Sequence, residues 1–261
     1  MNRRRSRRRR RSSRRKNGLW IALAAAAAAL FLSVQPGQQL VRFLTDLIDP
    51  PEWIIVLDAG HGGYDPGSVA EDGTMEKDIT LQITLKTGAI LEREDGVRVV
   101  YTRNSDALSW PPQEAEDLAA RVRIAQQARA DMLISIHLNA AEDASASGYE
   151  TYIRADSEMM FDMAQQVHAE FAERGWSHER GIKSTVNAPL YVVDASGMDA
   201  MLVEAGFITN AAELALLRSE DGQQMLAECI AQGILSQLRR KIRKNEREKG
   251  TVKSRSGKKI V

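Results

Sequence analysis

Cysteine is nearly absent: Cys229 is the single one in 261 residues, which excludes an internal disulfide and any zinc site built on thiolates. Histidine is scarce too, with four in the chain, so metal chemistry here has to draw on His, Asp and Glu. Basic residues are sparse in the middle. Residues 1–16 hold ten Arg and one Lys and no acid, and residues 239–261 hold eleven basic and two acidic residues. That leaves 14 basic against 33 acidic side chains in 17–238, a net charge of −19, although the whole chain sums to +1. Releasing counterions from nucleic-acid phosphates needs clustered Lys and Arg. No nucleic-acid partner is therefore expected of the core, and an Arg-rich binding reading would have to live in the tails. Nucleotide signatures are also lacking. Gly60, Gly62 and Gly63 fail G-x-G-x-x-G because Asp65 fills the last place, and no G-x-x-x-x-G-K-[ST] occurs. What remains is a chain with 43% hydrophobic residues, enough for one enzyme-sized core and too short for two.

One long apolar run is present. Residues 19–34 (LWIALAAAAAALFLSV) carry no charge and are closed by Pro36-Gly37. At 1.5 Å per residue they span about 24 Å of a hydrocarbon layer about 30 Å thick. The sequence past this run, Ser33-Val34-Gln35-Pro36, is a poor cleavage site, so an uncleaved anchor is favoured over a cleaved signal. The expected layout is a basic cytoplasmic tail at 1–18, a transmembrane anchor or signal at 19–35 and a linker at 36–52. A catalytic domain at 53–238 and a basic tail at 239–261 follow. The Arg run then marks the inside, which puts the domain at the cell membrane on the extracytoplasmic side.

Within 53–238, strand-like and helix-like runs alternate. Strands are expected at 53–58, 97–102, 132–138, 149–153, 190–193 and 201–204, and helices at 75–94, 114–129, 156–174, 211–217 and 221–239. Leu226, Ile230, Ile234, Leu238 and Ile242 form one buried stripe on the last helix. This rhythm predicts an α/β fold: a single domain with a mostly parallel central sheet and helices on both faces, preceded by the transmembrane segment. Function belongs at the strand ends.

Polar groups leave three of those ends: Asp58-Ala-Gly-His61-Gly-Gly, His137-Leu-Asn139 and Glu204-Ala-Gly-Phe207. A histidine inside Leu133-Ile-Ser-Ile-His137 needs a partner for each ring nitrogen, and a metal supplies one. Glu76, at the head of a helix, completes a His/Glu/His set of the catalytic zinc type, which keeps a fourth position for water. A further carboxylate must carry the proton, and Glu204 is the candidate. Spacing alone leaves the alternative that His137 is a satisfied core histidine and His61 a loop residue. Asp58 either orients a ligand histidine or caps its loop as an Asx turn. Asn139 is a further candidate beside the ligands, and Arg180 with Gly181 is placed along the cleft. Arg103 either pairs with Asp106, the favoured reading, or contacts a substrate carboxylate. His178-Glu-Arg-Gly-Ile182 lacks the second histidine of H-E-x-x-H and reads as a surface loop, and His168 reads as a helix-face residue.

These residues sit in motifs that resemble the zinc-dependent N-acetylmuramoyl-L-alanine amidases of the amidase 3 type. The motifs are Val56-Leu-Asp-Ala-Gly-His61-Gly-Gly with Asp65-Pro-Gly67, Glu76-Lys-Asp78, Thr102-Arg103 with Asp106, Leu118-Ala-Ala-Arg121, Ser135-Ile-His137-Leu-Asn139 and Leu202-Val-Glu204-Ala-Gly-Phe207-Ile-Thr-Asn210. The resemblance implies one Zn2+ held by His61, Glu76 and His137, Glu204 as the catalytic glutamate, and hydrolysis of the amide between N-acetylmuramic acid and L-alanine of peptidoglycan. Ala59 and the 196–200 segment lack prolines usual in that family. The 67 positions from His137 to Glu204 leave little room for the helix that plugs the zinc in regulated members, so an open site is expected. The anchor and single domain look similar to the spore-cortex subfamily, which implies a step towards muramic lactam with a deacetylase partner. A zinc peptidase acting on the stem peptide, or a non-catalytic membrane-tethered wall-binding protein, are the alternatives.

Overall fold

The computed structural model describes residues 52–256, with side chains described through Arg243. Six strands form one sheet in the order β2-β1-β3-β6-β4-β5. They are β1 (Trp53–Ala59), β2 (Val97–Tyr101), β3 (Met132–Asn139), β4 (Tyr149–Ile153), β5 (Glu179–Ser184) and β6 (Asp199–Phe207). Pairing is parallel from β2 through β6, antiparallel between β6 and β4, and parallel again between β4 and β5. The sheet is thus mostly parallel, as the alternating pattern predicts, with its last two strands reversed.

Among the described residues six helices cover the sheet: α1 (Glu76–Leu91), α2 (Glu114–Gln127), α3 (Glu158–Glu173), α4 (Tyr191–Asp194), α5 (Ala211–Leu217) and α6 (Glu220–Ser256). Successive strand residues point to opposite faces, and both faces of the central strands are buried. Ile55, Leu57, Ile134, Met201 and Val203 pack with Ile79 and Ile83 of α1, Val167 of α3, and Leu226, Ile230 and Ile234 of α6. Val56, Leu133 and Leu202 pack with Ala125 of α2 and Val192 and Val193 of α4. Burial on two faces explains why these strands read as continuous apolar runs.

Three expectations need correcting. Residues 190–193 are not a strand but the N-cap and first three residues of α4; a four-residue apolar run fits either form, and the Asp194 carboxylate closes the turn by accepting from Leu190 N and Thr185 Oγ1. β5 has no counterpart in the sequence reading, because ERGIKS offers only Ile182 to an apolar face and the strand lies at the sheet edge. The last helix does not stop at Arg239: α6 runs on to Ser256, since Lys, Arg and Glu propagate a helix without needing a packed face. Among the described residues no helix is long and apolar enough to cross a membrane. The segment expected to do so, 19–35, lies outside the described residues.

Candidate metal centre

Strand period two places Leu133, Ser135 and His137 on one face of β3, that of α2 and α4. His137 stands beside Glu204 in the β3–β6 register. His61 follows β1 in a loop with three consecutive positive φ angles, 61° at His61, 130° at Gly62 and 56° at Gly63, which turns its ring back over the strand ends. Glu76 opens α1, where a carboxylate is favoured by the helix dipole. Glycine is required at two close approaches. A Cβ on Gly60 would meet the His137 ring at 2.4 Å, and one on Gly67 would meet His61 Cδ2 at 2.6 Å and Glu76 Oε2 at 2.7 Å.

These elements bring His61, Glu76 and His137 together. His61 Nε2 lies 3.1 Å from Glu76 Oε1, His137 Nδ1 lies 3.2 Å from the same oxygen, and the two nitrogens are 3.2 Å apart. Bonds of about 2.0–2.1 Å to a tetrahedral zinc separate neighbouring ligand atoms by about 3.3–3.4 Å. The observed triangle has that size, and two imidazole nitrogens with one carboxylate oxygen are the donor set of a His₂Glu zinc site. Glu76 is fixed from behind: Leu138 N donates to Oε1 at 2.9 Å and Ser68 N to Oε2 at 3.0 Å. Burial opposes its ionisation, but the hydrogen bonds of His137 and His61 hold its carboxyl well below the usual range.

The carboxylate that holds a histidine of the cluster is Asp65, not Asp58. Asp65 Oδ2 lies 2.7 Å from His61 Nδ1, while its Oδ1 accepts from Gly67 N at 2.9 Å. Burial works against a charged His61, yet hydrogen bonding and charge from Glu76 and then Asp65 lift its pKa to about 9. Sequence reasoning quoted Asp65 without a role; its place four residues after His61, inside the Gly-rich turn, was the available signal.

Asp58 serves the loop from below. Fully buried, it accepts from Thr102 Oγ1 at 2.6 Å, Ser135 Oγ at 2.6 Å and Arg121 Nη1 at 2.8 Å, neither touching a ligand histidine nor forming an Asx turn. Burial raises its pKa, and the Arg121 charge with the Ser135 and Thr102 hydroxyls reverses this to about 2. Arg121 also donates to Ala59 O at 2.7 Å and His61 O at 2.6 Å. Arg103 donates to Ala59 O at 3.0 Å, Gly60 O at 2.9 Å and Lys77 O at 2.8 Å. Two buried guanidinium groups therefore satisfy the carbonyls of the strained loop. The expected Arg103–Asp106 pair does not form, because Asp106 is taken by Lys77 Nζ at 2.9 Å and Gly63 N at 2.8 Å.

Glu204 lies beside the triangle, and its Oε2 is shielded from solvent without a hydrogen-bond partner. Burial pushes its carboxyl up to about 7; His137 and His61 oppose this, and the charges of Glu76 and Glu150 add to it. A cleft of about 720 Å³ opens over the cluster, walled by Tyr64, Ser68, Glu114, Asn139, Leu190 and Leu202. Of the elements between Asn139 and β6, only the approach to α4 reaches it, through Leu190, and His61 and His137 stay 23% and 18% exposed. The short interval predicted such an open site. Asn139 donates to Glu150 Oε1 at 3.0 Å, and Arg180 Nε to Glu150 Oε2 at 2.9 Å. His168 is, as expected, a residue of a helix face and not of the cluster, buried between Thr151 and Glu179.

The family described as N-acetylmuramoyl-L-alanine amidase (Amidase_3) matches residues 55–236. The uncharacterized protein YqiI of Bacillus subtilis is 35% identical over 219 residues, 83% of this chain and 96% of that one. The germination-specific N-acetylmuramoyl-L-alanine amidase of the same organism is 32% identical over 189 residues, 70% and 78% of the two chains. The CwlD amidase of Clostridioides difficile, solved in complex with the GerS lipoprotein, superposes with a TM-score of 0.65 at 32% identity, covering 71% of this chain and 98% of that one. A cleft at the strand ends of a mostly parallel sheet, a His/Glu/His cluster and a match over most of the domain converge: the chain belongs to the N-acetylmuramoyl-L-alanine amidase family, hydrolases of peptidoglycan.

Proposed function

We propose that this amidase is zinc-dependent, with His61, Glu76 and His137 as protein ligands and Glu204 as the acid–base residue. The observation that carries the reading is the convergence of three ligand atoms within 3.2 Å of one another beside a buried carboxylate oxygen that nothing else engages. A zinc ion held by these three side chains would supply Lewis-acid polarisation of the amide carbonyl and a water acidic enough to be deprotonated near neutral pH. Glu204, with a pKa near neutrality, takes the proton of the attacking water and returns it to the nitrogen of L-alanine as the bond to the lactyl carbonyl breaks. Asp65 keeps His61 in the tautomer that presents Nε2. Arg103 and Arg121 hold the loop that carries it, and the cleft walls align the glycan and the peptide.

The anchor at 19–35 holds the domain at the cell membrane, on the extracytoplasmic side where peptidoglycan lies. Germination- and sporulation-specific amidases of Bacillus subtilis are among the relatives, which supports a spore-cortex substrate and a step towards muramic lactam beside a deacetylase. The test uses the purified full-length chain with zinc and peptidoglycan. Mass spectrometry should find intact stem peptides with a free L-alanine amine, and Glu204→Ala should release none. Cleavage within the stem instead would reassign the enzyme as a peptidase.

A further inference from the structure

The row of side chains that holds His137 and Glu204 continues across the sheet. Glu204 of β6 stands opposite Glu150 of β4, so two carboxylates share one face about 5 Å apart at Cβ, an arrangement that repels unless compensated. Glu150 in turn faces a bulge: pairing jumps from Tyr149↔Glu179 to Thr151↔Ile182, leaving Arg180 and Gly181 opposite one residue. Such a bulge re-aims a side chain. Arg180 Nε donates to Glu150 Oε2 at 2.9 Å, and Lys183 Nζ donates to the same oxygen. Two cations thus share one buried carboxylate oxygen, and Glu150 alone does not neutralise both.

Both cations are built in rather than loosely tethered. The Arg180 guanidinium lies over the Phe207 ring at 4.9 Å and its Nη1 reaches Ser147 O at 3.3 Å. Its stem runs over Gly148, where a Cβ would meet Arg180 Cγ at 2.9 Å. Lys183 Nζ lies 5.4 Å from the Tyr152 ring centre. Yet they remain 35% and 39% exposed, positioned and still open to a ligand, which lowers the ordering cost of binding an anion.

Glu204 gives the direction. As the acid that protonates the leaving amine it sits beside the L-alanine nitrogen, so the stem peptide departs on its side of the cleft, over β4 and β5. Strands are about 4.8 Å apart, which sets the β5 backbone about 10 Å from that of Glu204. A peptide advances about 3.5 Å per residue, so a carboxylate on the second stem residue falls about 7–8 Å from the cleaved carbonyl, within reach of a guanidinium leaning back over β4.

We propose that Arg180 and Lys183, held by Glu150, form the subsite for the free α-carboxylate of the second stem residue, a γ-linked glutamate; the proposal rests on the amidase reading. The test uses the full-length chain with zinc and two muramyl tripeptides that differ only at that residue, glutamate with its free carboxylate or its neutral amide. The unaltered enzyme should cleave the amide form with kcat/KM about tenfold lower, mainly through KM, as expected for loss of a charged hydrogen bond. Arg180→Gln and, separately, Lys183→Gln should reduce the carboxylate substrate about tenfold and leave the amide substrate within about twofold. Equal cleavage of both substrates by the unaltered enzyme overturns the proposal. So do variants that keep the full preference, or that lower both substrates in parallel, which would make the cations purely structural partners of Glu150. Cleavage of neither substrate by the unaltered enzyme removes the amidase reading itself, and with it the proposal, before any variant is made.

Discussion

Replacing Arg121 by Met tests whether the loop under His61 is held by charge. The side chain keeps its apolar stem but loses its ion pair with Asp58, its bond to Asp117 and its donors to the carbonyls of Ala59 and His61. Removing one partner of a buried ion pair costs about 3–5 kcal/mol, because the other charge stays buried alone. That is a large share of the roughly 5–15 kcal/mol that stabilises a domain. The pH dependence distinguishes charge from packing. With Arg121 present the Asp58 pKa is depressed to about 2, so its contribution of about 2 kcal/mol is complete above pH 4 and is lost as pH falls towards 2. Without Arg121, burial dominates and the folded-state pKa rises above the ordinary value, so acidification relieves the variant while it weakens the parent. Urea unfolding at pH 7 and pH 3.5, both with chelator, should therefore show a deficit that shrinks on acidification. The double variant Asp58→Asn/Arg121→Met should recover part of the loss, since no unpaired charge remains. A deficit unchanged between the two pH values, or below about 1 kcal/mol at pH 7, would refute the argument.

Asp65→Asn removes the charge behind His61 Nδ1 and should weaken zinc binding about 10–100-fold, read by competition with a chromophoric chelator; unchanged affinity would deny Asp65 its orienting role. Gly67→Ala places a methyl within 2.7 Å of His61 and Glu76 at a φ of 64°, so unfolding free energy from denaturant titration and zinc affinity should fall together, the former by more than about 1 kcal/mol. Glu204→Gln should lower kcat by about 10²–10⁴ while metal analysis still finds one zinc per chain, and loss of the zinc instead would make Glu204 a ligand. Dialysis against a chelator should abolish peptidoglycan hydrolysis and added zinc restore it; activity persisting in metal-free protein would rule out the proposed chemistry.

Much of this arrangement can be read from the chain because it depends on local rules. The alternation Leu133, Ser135, His137 fixes which face the histidine takes, and the glycines around His61 announce a backbone that other residues resist. His61, Glu76, His137 and Glu204 lie together because each leaves a strand end or opens a helix at the same edge of the sheet. Partnerships across long separations are not legible in this way. Asp58 meets Arg121 from 63 positions away, and Lys77 takes Asp106 from 29 positions away, leaving Arg103 to the backbone carbonyls. Spacing cannot rank such competitors, whereas packing does so at once. β5 eluded periodicity for another reason: an edge strand with charged side chains on its exposed face has no apolar alternation to display.

The reversal of β4 and β5 divides the cleft by ancestry as well as by direction. The His/Glu/His cluster belongs to the forward-running half: His61 to the turn that leaves β1, His137 to β3 itself and Glu76 to the start of α1. β4 and β5 begin at the end of the sheet where β1, β3 and β6 finish, so the loops at 140–148 and 174–178 lead into that same end. Lengthening or recolouring those loops leaves the register of β1, β3 and β6 untouched. Descendants of such a scaffold can therefore change the wall peptide they accept while inheriting the hydrolytic chemistry intact, and divergence should concentrate on one side of the sheet.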